Sequence, residues 1–311
     1  MMRGSMRGMC LCVLLAGVAM AEELPDFNKL WNFQDAAETE KKFRALLPRA
    51  QESGNLDYHL QLLTQIARTL GLQANFDDAH KLLDEVETRL TGDTKTARIR
   101  YLLERGRAFN SSKHPDKARV LFLEAWEFGC KHAEEYYAVD AAHMMGIVEP
   151  PAKQLAWNLK AMELAEQSKD ERAKRWLGTL YNNIGWSFHE QKEYGKALEA
   201  HEKCWEWYKQ HAPASRGEKI ARWSVAKQLR HLGKVDRALE MQRELHDVYE
   251  KANAPDGFVY EELAECLLLQ GKQDEAKPWF KKAYATLEKA SWVAETYPER
   301  WARLKRLAEA E

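Results

Sequence analysis

Residues that interrupt helices are scarce in this chain. Its 311 residues include only 16 glycines and 9 prolines, while the strong helix formers Ala, Leu, Glu, Lys, Arg and Gln are frequent. No stretch alternates apolar and polar residues over the length of a strand, which is the pattern that a half-buried strand requires. The composition therefore excludes most β-rich folds and predicts an all-α protein.

Cysteine is also scarce, and its spacing excludes a disulfide-stapled domain. Two of the five cysteines lie in the first twelve residues, which leaves Cys130, Cys204 and Cys266 at wide intervals. An odd number of distant cysteines does not form a disulfide framework. Cys204 and Cys266 fall on the apolar faces of predicted helices, so we expect both to be buried free thiols.

An excess of charge of one sign is absent. The formal net charge is −1, and no basic stripe of the kind that contacts a phosphate backbone is present. Nucleic acid is therefore not an expected partner. After the N-terminal segment, no run is apolar enough to span a bilayer, which needs about 20 residues.

The first 21 residues have the layout of a secretory signal peptide. Arg3 and Arg7 precede an apolar run from Met9 to Ala19, and a small residue at position 21 ends a cleavage motif. We expect cleavage at about Ala21 and an exported, periplasmic or secreted bacterial protein with no stable membrane insertion. The alternative is that the segment is retained as an anchor, although its apolar run is short for that purpose.

The remaining sequence repeats itself at intervals of 38 to 41 residues. In each unit a small residue is followed twelve positions later by alanine, with a short polar turn between them. Because apolar residues recur four and seven positions after the alanine, each unit predicts two helices joined by a tight turn. The five pairs are Ala67/Ala79, Gly106/Ala118, Gly185/Ala197, Ala226/Ala238 and Ala264/Ala276.

This unit resembles the tetratricopeptide repeat, whose first helix carries Trp, Leu, Gly and Tyr and whose second carries Ala, Phe and Ala. The resemblance implies an all-α, right-handed superhelical solenoid of about six antiparallel helix pairs with N- and C-terminal capping helices. The spacing is longer than the usual 34 residues, so the curvature of the standard repeat does not transfer. The best matches fall in three units: Leu102, Gly106, Phe109, Ala118, Phe122 and Ala125; Tyr181, Ile184, Gly185, Phe188 and Ala197; and Tyr260, Leu263, Ala264, Leu267, Gly271, Ala276, Phe280 and Ala283.

The interval between Gly106 and Gly185 is two units long and predicts a further repeat. Met144 and Ala156 have the required spacing, and Leu155, Leu159 and Met162 complete a second helix, whose register the pattern leaves open by one residue. Capping helices are predicted in residues 22–56 and 291–311, because end repeats would otherwise leave an apolar face in water. The repeats then occupy 57–290, as units at about 60–93, 99–132, 136–170, 178–211, 219–252 and 257–290.

In tetratricopeptide proteins the first helices line the concave ligand groove, so the resemblance implies that one stripe of these helices binds a protein or peptide. The stripe lies three before, one after and four after each small residue. It changes from basic to acidic along the chain, and we expect a carboxylate or acidic group of the ligand near its basic part. The predicted binding residues are Arg68, Arg107, Asn110, Asn182, Trp186, His189, Trp223, Lys227, Arg230, Glu261 and Glu265.

Two other interpretations of the stripe remain open at this stage. Trp186 and Trp223 are of the type enriched at interface hot spots, but they would serve equally well as packing between repeats. The groove could also hold a small regulatory ligand in place of a peptide. A deep closed pocket with perturbed carboxylate or histidine groups would favour the small ligand.

Motifs that carry enzymatic chemistry are absent. No glycine-rich phosphate loop, Gly-x-Ser-x-Gly, His-Glu-x-x-His or Cys-x-x-Cys occurs, so we predict a non-catalytic protein with no cofactor and no metal site. His201 and Cys204 share a helix face, but Cys204 falls at a core position and favours packing over metal binding. Asp140 and His143 lie in the poorly matching third unit, where a remodelled core is the favoured interpretation.

Overall fold

The computed structural model describes residues 23–309. Within this range every regular element is helical, as the composition predicts. The predicted signal peptide, residues 1–21, lies outside the described residues.

Six antiparallel helix pairs follow one another along the chain and form a tetratricopeptide-like solenoid. The first helices of the pairs are α3 (Leu56–Leu72), α5 (Lys95–Ser111), α7 (Glu135–Val148), α10 (Leu177–Glu190), α12 (Arg216–His231) and α14 (Gly257–Leu269). The second helices are α4 (Phe76–Arg89), α6 (Pro115–His132), α8 (Pro151–Gln167), α11 (Tyr194–His211), α13 (Val235–Lys251) and α15 (Gln273–Leu287). The remaining helices are α1 (Ala36–Ala45), α2 (Leu47–Glu52), α9 (Glu171–Lys174), α16 (Ser291–Thr296) and α17 (Pro298–Glu309).

The small residues of the repeat allow the two helices of a pair to approach closely. A Cβ atom on Gly106 would lie 2.5 Å from the Phe122 ring, and one on Gly185 would lie 2.5 Å from the His201 ring. The alanines twelve positions on are fully or almost fully buried: Ala79, Ala118, Ala197, Ala238 and Ala276. The register predicted for these five pairs is therefore confirmed.

The core runs along the solenoid in place of forming a single centre. One large cluster extends from Phe27 to Val148 and another from Leu198 to Ala308, with a smaller cluster around Leu180 between them. Cys204 and Cys266 are buried free thiols as predicted, and the free Cys130 is exposed. Nearest-neighbour packing of this kind is what stabilises repeat proteins.

The third pair exists, but its predicted register is wrong by two residues. Ala156 is exposed, and the close approach occurs between Gly146 and Asn158, where a Cβ on the glycine would lie 2.9 Å from the amide oxygen. An asparagine stands where the other units have alanine, and its amide donates to the Gln154 carbonyl oxygen at 3.1 Å. The Leu159 side chain is consequently 37% exposed.

The capping regions consist of several short helices, where the sequence predicts one continuous helix at each end. The helical pattern before residue 53 contains a 3₁₀ turn over Phe27–Leu30 and two short helices. Thr39 of α1 anchors the segment that follows the 3₁₀ turn. Its hydroxyl accepts a hydrogen bond from the Asn32 N–H and donates one to the Asn32 carbonyl oxygen, both at 3.1 Å. At the other end, α16 precedes the predicted final helix, and Leu304 of α17 seals the last pair. Within residues 23–309 no helix has the length and apolarity needed to cross a membrane.

Candidate functional site

The first helices stand side by side and form an inner row, which presents the predicted binding stripe. Glu261 and Glu265 are buried, and the other nine predicted residues are half-buried. Intermediate exposure is common for side chains that lie between neighbouring helices. The partners of each side chain therefore decide whether it is available to a ligand.

The basic residues of α3 and α5 contact carboxylates of this same chain. Arg68 donates to Glu104 at 3.2 Å, and Arg107 donates to Glu104 at 2.9 Å and to both oxygens of Asp140 at 2.5 Å. Glu104 and Asp140 are buried. Burial lowers and the two acids raise the pKa of Arg107, with a net rise above its ordinary value. The network joins three successive repeats and balances two positive charges with two negative ones.

A second network joins α12 to α14. Glu262 is only 1% exposed and accepts from Lys227 at 2.5 Å and from Arg230 at 2.7 and 3.1 Å. Burial raises the pKa of Glu262, but the two cations outweigh burial and hold that pKa at about 2. Lys227 and Arg230, which were predicted to meet a carboxylate of the ligand, therefore already hold one from the next repeat.

The acidic end of the stripe is paired with the last capping helix. Arg300 donates to Glu261 at 2.9 Å, and Arg303 forms an ion pair with Glu265. These pairs span 39 and 38 residues, about one repeat. The ion pairs thus form a ladder that connects each first helix to the next element of the inner row, except in the middle of the chain.

The middle of the row is neutral and aromatic. The rings of Trp186 and Trp223 lie 5.8 Å apart across two repeats, and Trp223 donates to the Phe258 carbonyl oxygen at 3.2 Å. His189 lies 2.8 Å from the Gln228 amide oxygen. These contacts favour packing between repeats for both tryptophans. Asn182 has its amide oxygen enclosed and without a partner among the described residues.

The pair His201 and Cys204 and the pair Asp140 and His143, which the sequence singled out for possible chemistry, both contact neighbouring groups of the protein. Cys204 donates to the Gly178 carbonyl oxygen at 3.2 Å, and burial lowers the pKa of His201 to about 3. Asp140 is held by Arg107, and the His143 ring packs against Trp176 at 5.0 Å. No grouping of three metal-ligating side chains occurs between residues 23 and 309.

An open trough lies at the N-terminal end of the inner row, and we call it the N-terminal trough. It consists of three adjoining cavities of about 200, 310 and 680 Å³. Helices α3, α5 and α7 form its floor, and residues 26–33 and 172–176 form its sides. The first two cavities share Arg68, Glu104 and Arg107, and the last two share Asn28, Arg100, Tyr136, Tyr137 and Trp176.

The side wall is fixed in place by long-range hydrogen bonds. Tyr58 donates its hydroxyl to the Pro25 carbonyl oxygen at 2.8 Å, and the Trp31 indole donates to Gln65 at 3.1 Å. Phe33 then stacks on Trp31 with ring centroids 4.7 Å apart and remains 60% exposed. Of the predicted residues, Arg68, Arg107 and Asn110 line the trough, while Arg100, Tyr136 and Trp176 were not predicted.

Comparison with known proteins supports the fold. Residues 220–289 match the tetratricopeptide repeat family model, and no curated protein sequence matches the chain. The chain is similar to a Signal Transduction ATPase with Numerous Domains with a tetratricopeptide repeat sensor from Pyrococcus horikoshii, at 14% identity and a TM-score of 0.69. That match covers 88% of this chain and 43% of the archaeal protein.

Two further solved structures resemble the chain over most of their length. The apo form of RapI has 14% identity and a TM-score of 0.64, with 85% of this chain and 77% of RapI covered. The apo form of the quorum sensor NprR from B. thuringiensis has 12% identity and a TM-score of 0.60, with 92% and 81% covered. At this identity the likeness concerns the fold, which proteins of unrelated function share.

Proposed function

We propose that this chain is a non-catalytic binding protein that holds a peptide segment of another protein in the N-terminal trough. The observation that carries the proposal is the trough itself. It is the part of the inner row where aromatic side chains and Arg100, which has no ion-pair partner, border open space, whereas Lys227 and Arg230 farther along the row are occupied by Glu262. Aromatic residues and arginine are the types that dominate binding energy at interfaces.

The shape of the trough suits an extended ligand. Its three cavities adjoin one another across α3, α5 and α7, so a chain segment would contact several repeats in succession. The two larger cavities, of about 310 and 680 Å³, are within the range of about 300–1,000 Å³ that single ligands fill. Several side chains of a peptide would therefore find room at once.

The carboxylates of the trough are poorly placed for catalysis. Glu104 and Asp140 each accept hydrogen bonds from arginine, and a general base must be free to take a proton from the substrate. The same pairs hold the helices in register, which pre-forms the binding surface. Pre-formed surfaces lose less entropy when a ligand binds.

A small regulatory ligand is the second candidate. Trp31, Phe33 and Trp176 border the cavity of about 310 Å³ together with Arg100, and the volume of this cavity suits one small molecule. The similar proteins include a tetratricopeptide repeat sensor and a quorum sensor. Native mass spectrometry of the purified protein distinguishes the candidates, since a retained small molecule adds a small mass while a retained partner adds the mass of a polypeptide.

Site-specific photocrosslinking tests the peptide proposal. A photoreactive residue at position 33, in the trough, should crosslink a partner protein in extracts of the native host. Its matched control is position 120, because Val120 is 66% exposed but lies on the second helix α6. The double substitution Phe33→Ala and Arg175→Ala should reduce capture, while Val120→Ala with Arg243→Ala should not. Crosslinks that form only at position 120 would place the partner elsewhere.

We also propose that the protein is exported, on the basis of the signal-like layout of residues 1–21. The test is the N-terminal sequence of the protein recovered from its host. A mature chain that begins near Glu22 in the periplasmic or culture fraction is expected. A chain that retains Met1 in the cytoplasmic fraction would contradict export.

A further inference from the structure

Arg100 is a buried cation that has no carboxylate partner. Its side chain is 6% exposed, and it donates from Nε to the Tyr137 hydroxyl at 2.8 Å and from Nη2 to the Asn28 amide oxygen at 2.7 Å. Both acceptors are neutral, and no ion pair joins Arg100 to an acid within residues 23–309. Arginine keeps its charge in proteins, and a buried charge without a counter-charge is costly.

The guanidinium of Arg100 keeps donors available toward the trough. Nη1 has no hydrogen-bond partner among the described residues, and it does not belong to the unpartnered atoms that are enclosed by protein. Arg100 borders both larger cavities. The neighbouring Tyr136 hydroxyl likewise has no partner in the described chain and is not enclosed. Burial raises the pKa of Tyr136, which keeps the hydroxyl protonated and able to donate.

Positive charge exceeds negative charge around Arg100. Four cations line the largest cavity, namely Lys29, Arg100, Arg172 and Arg175, against the single carboxylate of Asp26. Arg172 is neutralised by Asp170, to which it donates at 2.7 and 3.1 Å. Lys29 and Arg175 are exposed to solvent, so Arg100 is the buried cation of this cavity that the fold leaves without a counter-charge.

Aromatic rings surround the same point. The Arg100 guanidinium lies over the Phe27 and Tyr137 rings at 5.3 and 5.1 Å, contacts that partly compensate a buried cation. Tyr136 and Trp176 lie 6.5 Å apart and border both larger cavities. A ligand group next to the charge would therefore contact flat apolar surfaces.

We propose that Arg100 and the Tyr136 hydroxyl form a subsite for one carboxylate of the bound peptide, with an adjacent apolar or aromatic side chain held against Tyr136 and Trp176. This subsite rests on the proposed peptide-binding function and specifies its ligand. Arg100, with its charge and its free Nη1, and the Tyr136 hydroxyl supply one cation and two separate donors, which matches the single charge and the two oxygens of a carboxylate. The carboxylate belongs either to an Asp or Glu side chain or to a chain terminus.

The test begins with a library of random dodecapeptides displayed with both ends joined to carrier sequence, selected against the whole chain. Asp or Glu beside an aromatic or large aliphatic residue should be enriched. One selected peptide is then synthesised in three forms: acidic with an amidated end, Gln-substituted with an amidated end, and Gln-substituted with a free C-terminal carboxylate. Recovery of affinity in the third form would show that a terminal carboxylate also fits.

Variants at two positions of α5 show whether Arg100 is the source of the preference for an acidic peptide. On the wild-type protein, replacing the acid of the peptide with Gln should weaken binding by about tenfold or more, the range expected for a hydrogen bond to a charged group. On Arg100→Gln the same replacement should change affinity less than twofold. Arg98→Gln is the control, since Arg98 pairs with Glu124 on α6 at 3.2 Å, and it should discriminate as the wild type does.

The outcomes separate this inference from the function on which it rests. If selected peptides bind and crosslink at position 33 without any preference for an acid, the subsite is wrong and the peptide function stands. Equal discrimination by wild type and Arg100→Gln would also overturn the subsite. If no peptide is selected, both proposals fail. Should Arg100→Gln unfold, Arg100→Lys and the three peptides on the wild-type protein still decide the question.

Discussion

Replacing Glu262 with Gln should destabilise the C-terminal repeats by about 3 kcal/mol at pH 7. The side chain is 1% exposed and lies between Lys227 and Arg230. Its pKa is held at about 2 by these cations, against an ordinary value of 4.5. A difference of that size between the folded and unfolded protein corresponds to about 3 kcal/mol. The raised pKa of Arg230 reflects the same contacts and adds nothing further.

The stability difference between wild type and Glu262→Gln should decrease as the pH falls. Because the folded-state pKa of Glu262 is depressed, its contribution is complete above pH 4.5 and is lost as the pH falls toward 2. The difference between wild type and Glu262→Gln should therefore shrink from about 3 kcal/mol at pH 7 to about half of that at pH 3. Titration of the other acids affects both proteins and cancels in the difference.

Urea unfolding followed by far-ultraviolet circular dichroism measures this difference. Solenoids can unfold in stages, so the transition of the C-terminal half must be fitted by itself. Glu240→Gln is the matched control, since Glu240 is exposed on α13 and its loss should change stability by less than about 0.5 kcal/mol. A difference for Glu262→Gln that is near zero at pH 7, or that does not change with pH, would refute the ion-pair ladder as a source of stability.

Three further predictions concern the core. Burial lowers the pKa of His201 to about 3 from 6.5, so this residue alone should remove about 2 kcal/mol of wild-type stability between pH 7 and pH 5. In urea unfolding, His201→Leu should lose less stability than the wild type over this pH range, by that amount. Gly185→Ala should lower the melting temperature because its Cβ would meet the His201 ring at 2.5 Å, whereas Gly195→Ala, with nothing within 4 Å, should leave it unchanged or raise it. In native protein lacking residues 1–21, one thiol should react rapidly with a disulfide reagent, since Cys130 is exposed while burial raises the pKa of Cys204 and of Cys266 to about 12; two or more rapid equivalents would contradict the packing of the core.

The fold could be predicted from the sequence because its determinants are local. Each pair needs a small residue and an alanine twelve positions later, and their spacing is fixed by two helices and a tight turn. The prediction failed in the third pair, where Asn158 replaces the alanine. Nothing in the sequence marks that asparagine as a core residue. Its fit depends on Gly146 on the facing helix and on the Gln154 carbonyl oxygen.

The candidate site was only partly predictable because its contacts are not local. Arg68 and Arg107 were placed on the inner row correctly, but the acids that face them lie 36 and 33 residues away. Whether those acids reach the arginines depends on the angle between repeats, which the spacing does not fix. The contact between Asn28 and Arg100 spans 72 residues, so the wall of the trough could not be inferred from any periodic pattern.

The repeat itself shows why Arg100 stands apart. It lies six residues before the small residue of its first helix, and the corresponding positions in the other five units are Gln61, Asp140, Thr179, Ile220 and Phe258. No other unit places a cation there, so stacking of the helix pairs does not require one. In the second unit this position is buried, and an apolar residue would fill it without the free-energy cost of burying a charge. Arg100 thus carries a charge that helix stacking does not need, and its neutral partners leave donors free toward open space. A ligand explains this charge better than folding does. Arg100 is therefore the residue at which binding should be tested first.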